Sequence, residues 1–119
     1  MSNIQETLAE LLETDGAMAA AVVDSGSGML LGAAGSGIDL ESAAAGNTEV
    51  VRAKLRTMKL LGLNDSIDDM LVTLSSQYHI IRPLKKNPEV FIYLVLDRQK
   101  ANLALARINT KTADSEMQF

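Results

Sequence analysis

Apolar residues recur at helical spacing near the start of the chain. Over residues 3–14 the apolar positions lie on one stripe: Ile4, Leu8, Leu11 and Leu12. This pattern predicts an amphipathic helix. Ser2 and Gln5 have the spacing of a capping box, and Gly16 stands where a helix-ending glycine is expected.

Five later segments have the patterns of β-strands. They cover residues 17–24, 28–34, 69–75, 77–84 and 89–97. The last segment is apolar at both odd and even positions from Val90 to Leu96, which is typical of a central strand covered on both faces. The sheet is therefore expected to carry helices on both sides.

Two more helices are predicted from their end signals. Asp39 can cap a long helix that runs to about Leu61, and Gly62 suits its end. A last helix is predicted over residues 98–108, with Asp97 as its cap. Residues 111–119 are polar and are predicted to form a frayed tail.

These elements follow one another in the order α-β-β-α-β-β-β-α. Together they predict an α/β fold of the α+β type: a three-layer sandwich with a five-stranded, mostly antiparallel sheet and helices on both faces. The connections are short and the sequence has no internal repeat. Residues 1–110 are therefore expected to form a single domain.

The long helix has two apolar faces and one charged face when its residues are placed about 100° apart. The bulkier face is expected to lie on the sheet, and its residues are Leu40, Ala43, Ala44, Asn47, Val51, Leu55, Met58 and Leu61. The second apolar stripe has heptad spacing and small side chains, and its residues are Gly46, Val50, Ala53, Thr57 and Leu60. A single sheet has no use for this second stripe, so it predicts a helix–helix contact between two copies of the chain.

The strand at residues 69–75 suggests a second contact between copies. If it lies at a sheet edge, it presents a flat apolar run without Pro or Lys, made of Met70, Leu71, Val72, Thr73 and Leu74. An edge of this kind favours pairing with another strand. The alternative is that Asp68 and Asp69 protect the edge, and that the helical stripe is an ordinary surface.

Composition narrows the range of functions. The chain has 119 residues and no cysteine, which excludes disulfides, thiolate metal sites and a cysteine nucleophile. The first residues have no basic segment like that of a signal peptide, and no apolar run reaches the roughly 18–20 residues of a membrane span. A cytoplasmic location without membrane insertion is expected.

The charges are unevenly distributed along the chain. Residues 1–50 hold eight acidic residues and no Lys or Arg, whereas residues 51–119 hold all eleven basic residues. The net charge is −4, the bases are scattered and aromatic residues make up 3% of the chain. A nucleic-acid partner is therefore not expected.

Motifs for catalysis or cofactor binding are absent from the sequence. The glycines between Gly26 and Gly37 match neither phosphate-loop template, because no Lys occurs before Lys54. His79 is the only histidine, so neither a zinc site nor a Ser–His–Asp triad is indicated. Arg82 precedes a proline within a strand, where a structural role is favoured over an arginine that reaches a partner's nucleotide. No cofactor, metal or catalytic residue is predicted.

Three segments carry a resemblance to the roadblock/LC7 family. LVTLSSQYHIIRPL and VFIYLVLDRQKANLALARI resemble the family's two strands and following helix, and AAAVVDSGSGMLLG resembles its first hairpin. The resemblance covers residues 4–110. It implies a domain without chemistry of its own that dimerises through its long helix and third strand and serves small GTPases or signalling complexes.

The leading hypothesis is therefore a non-catalytic homodimeric regulator or adaptor that binds a small Ras-like GTPase or signalling complex. The alternative hypothesis is a small-ligand sensor of similar three-layer shape. Such a sensor would need a pocket between the sheet and the long helix.

Overall fold

The computed structural model describes residues 3–117 and has three helices and five strands. The helices are α1 (Ile4–Leu11), α2 (Leu40–Leu60) and α3 (Leu103–Glu116). The strands are β1 (Ala17–Asp24), β2 (Met29–Gly35), β3 (Met70–Thr73), β4 (Gln77–Pro83) and β5 (Val90–Asp97). The predicted element order and α+β fold are confirmed.

The strands form one sheet in the order β2-β1-β5-β4-β3, and every pairing is antiparallel. The predicted central strand is β5, which lies between β1 and β4. Tyr93 on β5 stands opposite Ala21 on one side and Ile81 on the other. β3 lies at an edge of the sheet, as the interpretation of its apolar run required.

Alternate residues of the central strands enter two separate cores. Ile92, Leu94 and Leu96 pack beneath α1 and α3, whereas Phe91, Tyr93 and Val95 pack on the α2 side. The helices thus cover both faces, which confirms the three-layer arrangement. The core is aliphatic apart from Phe91 and Tyr93.

The ends of the first helix differ from the prediction. Asn3 caps α1, because its Oδ1 accepts from the Glu6 amide at 2.8 Å. Ser2, the predicted cap, lies outside the described residues. Gly16 does not end the helix directly: α1 ends at Leu11, and Gly16 follows a short turn with a positive φ of 81°.

The last helix is shifted toward the end of the chain. Its N-cap is Asn102, whose side chain accepts from the Leu105 amide, and not the predicted Asp97. The helix continues to Glu116, so residues 111–116 of the predicted frayed tail are helical. Gln118 and Phe119 of that tail lie outside the described residues. The domain boundary at residue 110 stays a prediction.

The last helix extends this far because small buried side chains line it. Ala106, Thr110, Ala113 and Met117 are all buried against the sheet side. Small residues let the helix lie close to its neighbours. Lys111, Thr112 and Ser115 lie on the outer face of the helix.

Candidate dimer interface

The predicted helical stripe lies on the open side of α2. All five of its residues are exposed; Leu60 is 83% exposed and Val50 is 44% exposed. Nothing lies within 4 Å of the point where a Cβ on Gly46 would stand. A second helix could therefore approach this side of α2 without moving any group of the chain itself.

The face of α2 that was predicted to cover the sheet does so only in part. Ala44, Val51 and Met58 are buried as expected. Leu55 and Leu61 were predicted on the same face but are 46% and 66% exposed. α2 packs on β1 and β2, and between Arg52 and Leu61 only Met58 is buried. The helical pattern indicates the correct side, but it does not indicate where along the helix the sheet support ends.

The residues of the predicted edge strand divide between the two faces of the sheet. Met70 joins the core beneath α2, and Val72, two residues on, points to the same side. Leu71 stands opposite Ile80, which belongs to the other core. β3 is shorter than the predicted segment, and Leu74 follows it with its amide bonded to the Gln77 carbonyl at 2.8 Å.

Asp68 and Asp69, the residues that the alternative interpretation names as protecting this edge, both form ion pairs. Asp69 is bound by two guanidinium nitrogens of Arg107 on α3, at 2.9 and 2.8 Å. Asp68 accepts from the Lys85 ammonium at 3.2 Å. Both carboxylates are therefore engaged within the chain. Leu71 and Val72 remain 36% and 42% exposed.

A network of hydrogen-bonded polar side chains lies on the sheet face beside α2. The hydroxyl of Tyr93 donates to Nδ1 of His79 at 3.0 Å, and Nε2 of His79 donates to Oε1 of Gln77 at 2.8 Å. The two rings meet edge to face, with centroids 5.5 Å apart. The amide oxygen can only accept, so this arrangement places the proton of a neutral imidazole on Nε2.

Burial changes the proton affinities in this network of side chains. Desolvation lowers the pKa of His79, because a charged imidazolium is disfavoured away from water. Desolvation raises the pKa of Tyr93, and a side-chain hydrogen bond with Asn47 partly offsets that rise. His79 therefore stays neutral at physiological pH. Sequence patterns gave no sign of this network beyond the single polar residue, Asn47, on the predicted core face.

The remaining sequence candidates have structural roles. Arg82 donates through Nε to Asp114 at 2.9 Å, and both side chains are almost fully buried. Arg82 therefore cannot extend toward a partner. Gly28, in the turn before β2, and Gly35, at the end of β2, have positive φ values. Within residues 3–117 no group of three or more His, Asp or Glu side chains could hold a metal ion.

Two cavities border the long helix. One of about 370 Å³ lies at its start and is lined by Gly28, Met29, Leu30 and Glu41. Another, of about 170 Å³, lies beside Leu55 and is bounded by Ile67, Pro83, Leu84 and Pro88. Small-molecule sites usually have volumes of roughly 300–1,000 Å³. This smaller cavity lies below that range and the larger one lies within it, so cavity volume does not argue against the sensor alternative. None of the helices in the described part of the chain is long and apolar enough to cross a membrane.

Comparison with solved structures shows which class of fold this is. The chain is similar to MglB of Myxococcus xanthus, with a TM-score of 0.80 and 23% identity over 95% of this chain and 92% of that one. It is also similar to a roadblock/LC7 domain of Streptomyces avermitilis, with a TM-score of 0.82 and 12% identity over 96% and 93% of the two chains. An MglB solved in a tetrameric arrangement has a TM-score of 0.80 and 21% identity over 92% and 81%.

The fold is thus that of a roadblock/LC7 domain, as the sequence motifs predicted. No protein-family profile and no curated protein sequence matches the chain. The likeness therefore lies in the three-dimensional arrangement of the elements.

Proposed function

We propose that this protein is a non-catalytic homodimeric regulator or adaptor that binds a small Ras-like GTPase or a signalling complex. The observation that carries the proposal is the exposure of a complete apolar stripe on α2. Its members are Gly46, Val50, Ala53, Thr57 and Leu60. A cytoplasmic location accords with the absence of cysteine.

The stripe has the chemistry of a helix–helix seam. Complete burial of Val50 would stabilise the association by about 1.5–3 kcal/mol, and complete burial of Leu60 by a similar amount. Gly46, Ala53 and Thr57 are small enough to let two helix axes approach closely. Two-fold symmetry would place the same stripe on both copies, so each contact would be made twice.

The β3 edge supports the same arrangement. An unpaired edge with apolar side chains can add a strand from a second copy, which would extend the sheet across the dimer. Val72 lies on the α2 side of the sheet. α2 packs on β1 and β2, so the part of this face that β4 and β3 form is not covered by α2. A partner's α2 could cover that part.

The GTPase partner is supported by resemblance. The segments quoted above resemble the roadblock/LC7 family, whose members serve small GTPases, and the fold is that of a roadblock/LC7 domain. The chain lacks a phosphate-loop motif and has a single histidine. A role in binding and positioning a catalytic partner fits these features better than chemistry of its own.

Sedimentation equilibrium tests the dimer. Wild-type protein at micromolar concentration should be a dimer, and Val50→Glu should be a folded monomer because each copy would place a carboxylate in the seam. Gly46→Leu should also weaken association, since its side chain meets open space within its own chain. Arg56→Gln is the matched control, because it makes the same change in net charge at an exposed α2 position outside the stripe. A wild-type monomer would overturn the dimer.

A binding and hydrolysis assay tests the partner. The probe is a Ras-like GTPase from the same organism, loaded in turn with GDP and with a non-hydrolysable GTP analogue. We expect binding that depends on the nucleotide, or a change in the rate of GTP hydrolysis. Absence of both effects with the dimeric protein would refute the regulatory role while leaving the dimer intact.

A further inference from the structure

A groove between α1 and α3 lies on the sheet face opposite α2. Its volume is about 350 Å³. Four acidic residues line it, namely Glu10, Glu13, Asp15 and Glu116, and no Lys or Arg does so. None of the four takes part in an ion pair within residues 3–117. The groove is therefore a region of uncompensated negative charge.

The carboxylates are spread along the groove and do not converge on one point. In the described part of the chain no three acidic or histidine side chains are grouped closely enough to hold a metal ion. Glu10 lies on the last turn of α1 and Glu13 in the turn that follows it, whereas Glu116 lies on the last turn of α3. This spacing suits a chain with several cationic groups better than a single ion.

A buried hydroxyl in the groove wall points independently to a ligand. Thr7 lines the groove and is 1% exposed, and its Oγ1 is the one buried side-chain polar atom of residues 3–117 that has no hydrogen-bond partner. Thr14 also lines the groove, and its Oγ1 accepts from Nδ2 of Asn109 at 2.9 Å. An unpaired buried hydroxyl costs free energy, which a donor entering the groove would recover.

We propose that this groove binds a cationic segment of a partner protein, with Lys or Arg side chains about one helical turn apart. The carboxylates would pair with the cations, and an N–H donor would reach the hydroxyl of Thr7. Charge complementarity favours this occupant, since residues 1–50, which include α1, carry eight acidic residues and no basic ones. The groove lies away from α2, so it stays open in the proposed dimer and does not depend on it.

The test uses a fluorescent synthetic peptide of about 12 residues, built from Ala and Lys with the Lys residues at helical spacing. Fluorescence anisotropy at about 50 and about 300 mM salt measures its affinity for the full chain. Glu10→Gln combined with Glu13→Gln should weaken binding by about tenfold or more. The matched control, Glu41→Gln combined with Asp65→Asn, removes the same charge outside the groove and should change affinity less than about twofold.

Thr7→Val separates a specific site from diffuse attraction. Loss of the unpaired hydroxyl should raise the thermal midpoint and weaken peptide binding by a few-fold at once. A variant that is only stabilised, with unchanged affinity, would count against the role of Thr7. The monomeric variant Val50→Glu should still bind the peptide, so this test does not depend on the dimer.

Other occupants give different results. Equal weakening by the groove and control variants would indicate nonspecific charge and overturn the proposal. Competition by spermidine as strong as that by unlabelled peptide would indicate a small polyamine site instead. Salt-sensitive self-association that is lost in the Glu10→Gln, Glu13→Gln variant would identify a second copy as the occupant, which would also overturn the proposal.

Discussion

Arg82 on β4 and Asp114 on α3 form a buried ion pair, with Nε of Arg82 donating to Oδ2 of Asp114 at 2.9 Å. Their side chains are only 7% and 6% exposed. Asp114 also accepts from the amide of Lys85, which follows β4. The pair therefore attaches the last turns of α3 to the sheet, in a stretch whose sequence suggests a free tail.

Removal of one partner from this pair should be costly. Asp114→Ala would leave the guanidinium of Arg82 buried without a counter-charge, so we expect the free energy of unfolding to fall by about 3 kcal/mol or more. Urea denaturation followed by circular dichroism measures this change. The double variant Arg82→Met, Asp114→Leu should recover much of the loss, because it leaves no buried charge unpaired.

The exposed pair Lys85–Asp68 provides the control. Its side chains are 63% and 76% exposed. Asp68→Asn should therefore change the free energy of unfolding by no more than about 0.5 kcal/mol. Equal effects of Asp114→Ala and Asp68→Asn would contradict the structural role of the buried pair.

Replacement of either of two glycines by alanine should change the stability of the fold, in opposite directions at the two positions. A Cβ on Gly32 would collide with Cγ2 of Ile4 and come within 3.2 Å of Leu8, where α1 lies against β2. Gly32→Ala should therefore destabilise the fold by about 1–3 kcal/mol. Gly46→Ala meets open space within α2 and should stabilise it by about 0.5–1 kcal/mol.

Both alanine variants are best measured in a Val50→Glu background, so that self-association does not contribute to the free energy of unfolding. Urea midpoints that move in opposite directions would agree with the expectation. A destabilised Gly46→Ala monomer would mean that the helix side at Gly46 is not open within its own chain.

The single histidine should make stability depend on pH. Burial lowers the pKa of His79 in the folded state, below the ordinary value of 6.5. As the pH falls through about 6.5, the unfolded chain takes up a proton more readily than the folded one, so the free energy of unfolding falls. Protonation of Nδ1 would also remove the acceptor of the Tyr93 hydroxyl. Stability should therefore decline from about pH 7 to pH 5.5 and change little above pH 7.

His79→Gln tests the origin of that dependence. Glutamine does not titrate but can still accept from Tyr93, so the slope of unfolding free energy against pH should flatten between about pH 5.5 and 7. An unchanged slope in His79→Gln would assign the pH dependence to another group.

The fold could be predicted from sequence because local signals agree with the long-range arrangement. Continuous apolar character identified β5 as the central strand, and Asp39, whose carboxylate accepts from the Ser42 amide, was identified as the cap of α2. Hydrogen bonding at the same cap lowers the pKa of Asp39. Signals of this kind act within a few residues, so they can be interpreted without knowledge of which other elements pack nearby.

The errors lie where tertiary contacts decide. Asp97 has the sequence pattern of a helix cap, but its carbonyl accepts from the amides of Lys100 and Ala101 in a turn. Ala101 also packs against Gly16, and a Cβ on Gly16 would come within 2.8 Å of the Ala101 amide nitrogen. That packing delays the start of α3 to Leu103. One overlooked signal was present: the spacing of Ala106, Thr110 and Ala113 continues a small-residue stripe beyond the predicted end.

The two edges of the sheet offer a matched test of where copies associate. Val72 on β3 and Leu31 on β2 are 42% and 43% exposed, and their strands lie at opposite edges. Val72→Lys should raise the dimer dissociation constant by at least about tenfold, because an edge lysine opposes strand pairing and the two-fold axis would bring two lysines together. Leu31→Lys should leave it unchanged. Sedimentation equilibrium gives the constants, and thermal unfolding checks that both variants are folded. A dimer broken by Leu31→Lys but not by Val72→Lys would move the proposed interface to the β2 edge.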